Sequence, residues 1–356
     1  MRTSKLSRSL LAAALVSAMS LGVAHAATVR IANQGDALSM DPHSLNESLQ
    51  LSVTNNVYES LVGVSKDLKF EPGLASSWKQ TSPTVWRFEL RNNVRFHDDT
   101  PFTADDVVFS LNRAAGEGSD MRSNTNDIKE VRKLGSHTIE IETKAPFPIL
   151  PNVLSTVYIM SKKWCEENQA TRPVDRRKGI ENAASFRANG TGPYRLRERQ
   201  PNVRTTFVRN GNYWGKIDGN VDEVIFSVIA NDPTRVAALL SGEIDFTEKT
   251  PVQDLPRLAA APNVKVLEGN ELRTIMFGFN FEDKLHNGEP NLFKEKKMRE
   301  AVGLAIDLNL IRDKVMRGKS RVTGTVVAPA IPGYDAALDT PPAYDPEKAA
   351  AMIRSA

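Results

Sequence analysis

The segment from Val224 to Thr247 constrains the fold more than any other part of this 356-residue chain. The run Val224 to Ile229 is almost wholly apolar, which is typical of a strand buried on both faces of a sheet. Asn231-Asp232-Pro233-Thr234 predicts a helix start, because proline fits the first helical position, where its missing N–H has no partner to lose. Gly242 predicts the end of that helix, and Ile244 to Thr247 predicts a second strand. This order of strand, helix and strand predicts an α/β fold.

Shorter patterns predict further elements on both sides of this unit. Apolar and polar residues alternate from Val85 to Arg91, which predicts a strand with one face on the core. Thr103 and Asp106 predict a capped helix start, since both can bond the free N–H groups of a first turn. Helical spacing runs from Ser48 to Leu61, and the apolar run Thr274 to Phe281 predicts another strand.

The first 26 residues have the pattern of a secretory signal. Three basic residues precede an uncharged apolar run, Leu10 to Val23, and Ala24-His25-Ala26 offers a small-x-small cleavage site before Ala27. A membrane anchor is the alternative, but the run is short for a spanning helix, which needs about 20 residues. No cysteine stands at the cleavage site to carry a lipid anchor, so we expect a free protein in the periplasm of a Gram-negative cell, without direct membrane insertion.

Charge and cysteine content exclude several classes of protein. Removal of residues 1–26 takes away three basic and no acidic residues, which lowers the formal charge from +3 to zero. A neutral chain argues against a nucleic-acid partner, because phosphate binding needs a surplus of Lys and Arg. The remaining length usually forms two domains. The single cysteine, Cys165, cannot form an internal disulfide, and its setting favours a buried structural thiol over a reactive one.

Motifs for catalysis and for metal binding are not complete in this sequence. It contains neither a G-x-S-x-G elbow nor an H-E-x-x-H helix. Gly318-Lys319-Ser320 imitates the end of a phosphate-binding loop, but Asp313 stands where the first glycine is required. His97-Asp98-Asp99 with Asp105 and Asp106 could suggest a metal, yet the spacing matches no loop of alternating oxygen ligands, and a turn followed by a helix cap is favoured. We therefore expect no enzymatic activity, no metal and no cofactor.

Seven motifs occur in a fixed order behind the predicted signal. They are Met40-Asp41-Pro42-His43, Pro72-Gly73-Leu74-Ala75-Ser76-Ser77-Trp78, Trp86 to Arg91, Val94 to Val107, Gly190-Thr191-Gly192-Pro193-Tyr194, Ser241-Gly242-Glu243-Ile244-Asp245 and Tyr344-Asp345-Pro346-Glu347-Lys348-Ala349. With this set the chain resembles the oligopeptide/dipeptide/nickel-binding solute-binding proteins of ABC importers (family 5), over nearly all of residues 27–356. The resemblance implies a two-lobed α/β periplasmic-binding-protein fold of type II that closes on ligand like a hinge, with the extra subdomain of peptide-binding members.

The resemblance also implies a domain arrangement. Residues 1–26 are the signal peptide, residues 27–272 are the first lobe with the extra subdomain at about 60–185, and residues 273–356 begin the second lobe. Family members continue well past the helix that starts near Tyr344, so we expect the second lobe to be incomplete in a C-terminally truncated or partial chain. Asp99 stands where the family usually has glycine, and Asp tolerates a left-handed turn better than most residues.

Ligand-contacting positions follow from the resemblance, not from spacing. They lie in the loop after the first strand, on one helix, after the strand near residue 246 and at the start of the apolar run near residue 274. The candidates are Leu38, Ser39, Phe109, Glu248, Lys249, Arg273 and Met276. Alternatives stay open for several of them. Phe109 can equally be core, Glu248 and Lys249 can be a solvated pair, and Arg273 can pair with a neighbouring acid instead of a ligand carboxylate.

The function implied by the resemblance is capture of peptides between the lobes and their delivery to the transmembrane permease subunits, by a monomer. Bridging waters adapt at little cost, so we expect loose selectivity for peptide side chains. Two alternatives remain: the same role for a nickel chelate, haem, opine or other small solute, and a non-functional fragment of such a protein.

Overall fold

The computed structural model describes residues 27–355, which divide into two compact units, one ending at Glu248 and the other beginning at Lys249. The predicted secretory signal, residues 1–26, lies outside the described residues. The resemblance implies a lobe boundary between residues 272 and 273, whereas the two compact units of the structure divide after Glu248. The assignment of lobes stays a prediction.

The first unit is built from strands and short helices. Its strands are β1 (Ala27–Asn33), β2 (Val62–Val64), β3 (Phe70–Pro72), β4 (Ala75–Ser82), β5 (Val85–Leu90), β6 (Ile128–Gly135), β7 (Thr138–Thr143), β8 (Tyr194–Gln200), β9 (Arg204–Arg209), β10 (Val221–Val228) and β11 (Phe246–Thr247). Its α-helices are α1 (Ser48–Thr54), α2 (Ala104–Ala114), α3 (Arg122–Thr125), α4 (Leu150–Leu154), α5 (Lys162–Glu167) and α6 (Asp232–Ser241). Single 3₁₀ turns lie at Arg176–Lys178 and Ala183–Ser185.

A five-stranded sheet carries the predicted α/β unit. Its strand order is β11-β1-β10-β9-β8, with β1 parallel to both β10 and β11. Helix α6 connects β10 to β11, and the Asn231 side chain accepts the N–H of Thr234 at 3.0 Å. Gly242 ends the helix with a φ of 75°, a conformation that favours glycine. The predicted strand–helix–strand unit is confirmed, although β10 is mostly half-buried and only Phe226 in it is fully buried.

A four-stranded antiparallel sheet, in the order β4-β5-β7-β6, carries a second apolar core. All four of its strands lie between α1 and β8 in the sequence. The predicted alternation in β5 is confirmed, since Phe88 and Leu90 are buried while Glu89 is exposed. Helix α2 begins as predicted, because the Asp106 carboxylate accepts the N–H of Thr103 at 2.8 Å. Asp99 adopts a φ of 64°, the left-handed turn expected where the family has glycine.

The helix predicted from Ser48 to Leu61 ends early, at Thr54. The side-chain amide of Asn56 donates to the carbonyl of Ser52 at 2.7 Å, which is the carbonyl that the backbone N–H of residue 56 would use in a longer helix. Asparagine side chains compete with the helical backbone in this way, so the local sequence stops the helix despite its apolar spacing.

The second unit is helical and irregular among its described residues. It contains α7 (Leu255–Ala259), α8 (Lys296–Ala305), α9 (Leu308–Leu310), a π-helical turn (Ile311–Val315) and α10 (Pro346–Arg354), with 3₁₀ turns at Leu292–Lys294 and Ala336–Leu338. Helices α8 and α10 pack together, and the N–H of Asp345 donates to the carbonyl of Leu304 at 2.8 Å.

The strand predicted over Thr274–Phe281 is wrong. The segment is irregular, and Ile275 and Phe277 are 83% and 74% exposed. Apolar composition favours a strand only where a neighbouring strand completes the hydrogen-bond ladder, and this segment has no such neighbour within residues 27–355. No helix in that part of the chain is long and apolar enough to cross a membrane.

Candidate functional site

The carboxyl ends of two parallel strands define one edge of the five-stranded sheet. β1 ends at Asn33 and β11 ends at Thr247, which pairs with Ala32 in the ladder. In open α/β sheets, ligands bind beyond the carboxyl ends of parallel strands. This edge is therefore where a ligand site is expected in the first unit.

A cavity of about 260 Å³ lies between α1 and this sheet, and its lining reaches the carboxyl edge at Asn33 and Glu248. Apolar side chains, among them Ile31, Phe207 and Phe226, form much of its lining, and Asn33 and Glu248 supply polar groups. Small-molecule sites usually measure about 300–1,000 Å³ and combine an apolar lining with a few polar groups. The cavity therefore suits a small ligand or one part of a larger one. One face of α1 completes it with Leu49, Ser52, Val53 and Asn56.

A wider depression of about 350 Å³ lies between the first turns of α2 and α5. Its charges are of both signs, and Lys162 lies 3.8 Å from Glu166 in an exposed pair. A mixed, solvated surface of this kind is typical of paired helix ends, so we regard the smaller cavity as the candidate site.

The loop after β1 is anchored to the β8–β9 hairpin. The side chains of Asp36 and Arg199 lie 3.3 Å apart and are almost fully buried, and Arg199 also donates to the carbonyl of Ala37. The N–H of Asn202 donates to the Asp36 carboxylate at 2.8 Å. These bonds hold the loop in one position beside the carboxyl end of β1.

The first three predicted residues lie near this edge but do not line the cavity. Leu38 is 47% exposed, and its carbonyl accepts a hydrogen bond from Arg176 at 2.7 Å. Ser39 is fully buried, and its carbonyl accepts from the Gln50 amide at 2.5 Å. Phe109 is half-buried and packs against the apolar cluster that contains Val57. Their contact with ligand stays a prediction.

The remaining four predicted residues fall on both sides of the unit boundary. Of the seven predicted residues, only Glu248 lines the cavity. In the second unit, Lys249 and Arg273 lie 3.5 and 2.8 Å from the carboxylate of Glu271. The acidic neighbour considered for Arg273 is therefore Glu271. Met276 lies exposed in the irregular segment.

A buried ionic network behind the loop was not predicted from the sequence. Arg113, at the end of α2, donates to both carboxylate oxygens of Asp41, at 2.8 and 2.7 Å, and neither side chain is exposed. Asp41 also accepts the N–H of Val174 at 2.9 Å. Burial alone would raise the pKa of Asp41, but the charge and hydrogen bonds of Arg113 outweigh it, so the pKa lies below its usual value.

His43 is part of the same network and is held neutral. Burial and the charge of Arg113 lower its pKa to about 4. Arg113 is always a donor, so Nδ1 of His43 accepts its hydrogen bond at 3.0 Å, and Nε2 carries the proton and donates to the carbonyl of Tyr158 at 2.9 Å. Every polar group of the network is partnered, which favours a structural clamp over a catalytic or ligand-binding role.

The sequence marks the Met40-Asp41-Pro42-His43 motif through the family resemblance, but it does not reveal that Arg113 is the partner of this motif. Arg113 lies 72 residues from Asp41, and an arginine in the last turn of an amphipathic helix is ordinarily a surface residue. Nothing in local spacing points to this pair. Among residues 27–355, no three His, Cys, Asp or Glu side chains come together in a way that could hold a metal ion.

Comparison with known proteins identifies the family. Residues 69–356 match the family model described as "Bacterial extracellular solute-binding proteins, family 5 Middle". The nickel-binding periplasmic protein of Escherichia coli is 28% identical over 332 residues, covering 89% of this chain and 58% of that protein. Heme-binding protein A of Haemophilus influenzae is 28% identical over 345 residues, covering 90% of this chain and 59% of that protein.

A solved structure shows the same fold. The oligopeptide-binding protein AppA of Bacillus subtilis, in complex with a nonapeptide, superposes with a TM-score of 0.80 at 23% identity, covering 92% of this chain and 63% of that one. The predicted α/β periplasmic-binding-protein fold is confirmed by this likeness. The chain spans about three fifths of the length of each of these proteins. The chain belongs to the bacterial extracellular solute-binding proteins of family 5.

Proposed function

We propose that this protein is the periplasmic substrate-binding component of an ABC importer in a Gram-negative cell, and that it captures peptides and delivers them to the transmembrane permease subunits. The observation that carries the proposal is the family match over residues 69–356. The protein acts by binding and release and is not an enzyme. The relatives named above are binding proteins, which supports this role.

The cavity at the carboxyl edge of the sheet supports a binding role for the first unit. Its volume of about 260 Å³ accommodates one side chain or one end of a peptide better than a whole oligopeptide. The lining combines apolar residues with one acidic residue, Glu248, a composition that suits an amino group next to an apolar side chain. Peptides carry both groups, which favours them among the possible solutes.

A second candidate is the same role for a metal chelate or haem. The names of the nickel-binding and heme-binding relatives support it, each at 28% identity. The two candidates differ in ligand only, so one experiment separates them.

Thermal melting of the purified chain with a ligand panel tests the proposal. The panel contains dipeptides, tri- to nonapeptides, nickel with L-histidine, haem and an opine. A ligand present at 100 times its dissociation constant stabilises the folded state by about 2.7 kcal/mol, which is a readily measured increase in Tm. We expect the increase with peptides. An increase with the nickel complex, haem or opine alone would replace peptides by that solute, and no increase with any member would overturn the binding role.

A pair of variants on α1 locates the site. Ser52 lines the cavity, so Ser52→Trp places an indole in its mouth, whereas Ser48 is exposed on the same helix outside the lining. We expect Ser52→Trp to remove the ligand-induced increase in Tm and Ser48→Trp to retain it. Retention of the increase by both variants would move the site away from this cavity while leaving the binding role in place.

A further inference from the structure

The chain passes twice between the five-stranded and the four-stranded sheets of the first unit. It leaves after α1 through residues 55–61 and returns through residues 186–193 before β8, and every strand from β2 to β7 lies between these passages. We call residues 62–185 the inserted subdomain and the two passages the outgoing and returning crossovers. How the inserted subdomain is oriented on the five-stranded sheet depends on what holds these crossovers.

The two crossovers are bonded to each other along their backbones. The N–H of Gly192 donates to the carbonyl of Val57 at 2.9 Å, and the N–H of Tyr194 donates to the carbonyl of Asn56 at 3.0 Å. A Cβ atom on Gly190 would lie 1.9 Å from the carbonyl oxygen of Val57, so only glycine permits this approach. The glycines of the Gly190-Thr191-Gly192 motif therefore allow the backbones of the two crossovers to lie in close contact.

One carboxylate ties this contact to a third segment. Glu59, in the outgoing crossover, accepts hydrogen bonds from the hydroxyl of Thr191 at 2.7 Å, the indole N–H of Trp214 at 2.8 Å and the hydroxyl of Tyr213 at 2.8 Å. Thr191 belongs to the returning crossover, and Tyr213 and Trp214 belong to the loop after β9. The guanidinium of Arg91, which follows β5 in the inserted subdomain, lies 4.4 Å from the centre of the Trp214 ring.

The chemistry of these contacts selects a carboxylate. Three donors converge on Glu59, and an ionised carboxylate has only acceptor atoms. Glutamine carries no charge, and its NH₂ group would face either Thr191 and Trp214 or Tyr213, whose hydroxyl would then have to accept. Burial raises the pKa of the Glu59 carboxyl above its usual value, and the three hydrogen bonds offset that rise only in part. The charge of Arg91, which lies over the ring of the indole that donates to Glu59, also lowers the pKa of this carboxyl.

We propose that Glu59 is a latch: its carboxylate fastens the two crossovers and the Tyr213–Trp214 loop together and thereby sets the orientation of the inserted subdomain on the five-stranded sheet. Loss of the latch loosens the junction, while the inserted subdomain keeps its own fold because its buried apolar core comes from residues between Leu61 and Ile159, with Trp214 packed against it. The inference concerns the junction alone and does not depend on which solute the protein binds.

Hydrogen exchange of the Glu59→Gln variant tests the latch. We expect the amides of residues 190–194 and 211–215 to exchange at least about tenfold faster than in the parent protein, because hydrogen bonds to a charged group are worth about 1.5–3 kcal/mol. The amides of β5 and β7 should exchange unchanged. The matched control is Glu140→Gln on β7, which removes a carboxylate bonded to Arg87 far from the crossovers in the chain, and it should leave residues 190–194 unaffected.

Single-donor variants keep the test valid if Glu59→Gln folds poorly. Tyr213→Phe, Trp214→Phe and Thr191→Val each remove one hydrogen bond to the carboxylate, and each should accelerate exchange at residues 190–194 about fivefold, the factor for about 1 kcal/mol. Unchanged exchange in all of these variants, or an equal acceleration in β5 and β7, would overturn the proposal.

A distance measurement tests the orientation itself. Spin labels on Lys79→Cys in β4 and Glu198→Cys in β8 report on the two sheets, and both parent positions are exposed. The native Cys165 is buried, and burial raises the pKa of its thiol to about 12, so it stays unlabelled. We expect the interlabel distance distribution to broaden in Glu59→Gln and to stay as narrow as the parent's in Glu140→Gln. Equal widths in both would show that Glu59 does not set the orientation.

Discussion

Removal of the Arg113 side chain is the perturbation whose effect follows most directly from the structure. Its guanidinium makes five hydrogen bonds: two to the Asp41 carboxylate, one to His43 and one each to the carbonyls of Ala170 and Arg172. All of these distances lie between 2.7 and 3.0 Å, and neither charged side chain is exposed. The variant Arg113→Ala leaves Asp41 as a buried charge without its counterion.

The expected cost is large because the remaining partner cannot reach water. Breaking a buried ion pair by removing one partner destabilises a protein by about 3–5 kcal/mol. That is a large part of the total stability of about 5–15 kcal/mol that a domain has. We therefore expect urea denaturation of Arg113→Ala to show a free energy of unfolding lower by at least about 3 kcal/mol, with the midpoint moved accordingly.

The control is an arginine that makes similar bonds at the surface. Arg132 on β6 pairs with Glu142 at 2.7 Å and with Glu130 at 3.0 Å, but its side chain is 36% exposed. Exposed pairs contribute about 0–1 kcal/mol, so Arg132→Ala should lower the free energy of unfolding by no more than about 1 kcal/mol. If the two variants lose the same stability within about 1 kcal/mol, the interpretation of the Asp41–Arg113 pair as a buried clamp is refuted.

Three further predictions concern stability. Folding lowers the pKa of His43 from 6.5 to about 4, so the stability that its neutral form contributes is present above pH 6.5 and is lost as the pH falls towards 4. The free energy of unfolding, measured by urea denaturation, should therefore fall from pH 7 to pH 4.5 by about 2–3 kcal/mol more in the parent than in His43→Asn. Gly190→Ala should destabilise strongly, since its Cβ would meet the Val57 carbonyl, whereas Gly135→Ala, with open space around it, should change Tm little; equal effects would contradict the close packing of the crossovers. Asp106→Ala should cost about 1–2 kcal/mol in unfolding free energy, because it removes the acceptor of the Thr103 and Lys162 N–H groups, and Asp105→Ala, whose partner is an exposed lysine, should cost clearly less.

Elements defined by neighbouring residues were predictable from the sequence. The start of α6 within Asn231–Thr234 and its stop at Gly242 depend on backbone chemistry within one helix, and both are confirmed, although the helix begins at Asp232 and Pro233 is its second residue. The alternation in β5 reports directly which side of the strand is buried. The left-handed conformation of Asp99 was expected from the resemblance, because Asp99 stands where the family usually has glycine.

Features that depend on distant partners were not predictable. The Asp41–Arg113 pair and the Glu59–Trp214 contact join residues 72 and 155 positions apart, and no local pattern announces such a contact. The run Thr274–Phe281 shows the converse case, because its apolar composition predicts a strand, yet a strand also needs a partner ladder. The candidate site shares this difficulty, because its cavity is formed by β1, α1 and β10, which are far apart in the chain. Of the seven predicted residues, only Glu248 lines this cavity.

Native mass spectrometry of the chain, recovered from the periplasmic fraction of a Gram-negative host and then titrated with peptides, tests the central claim most directly. The account predicts recovery from the periplasm without residues 1–26, and a single peptide bound per chain in the added-peptide spectra. A spectrum that shows only the unliganded mass with every peptide and every alternative solute would contradict the account of this family 5 chain as a solute-binding protein.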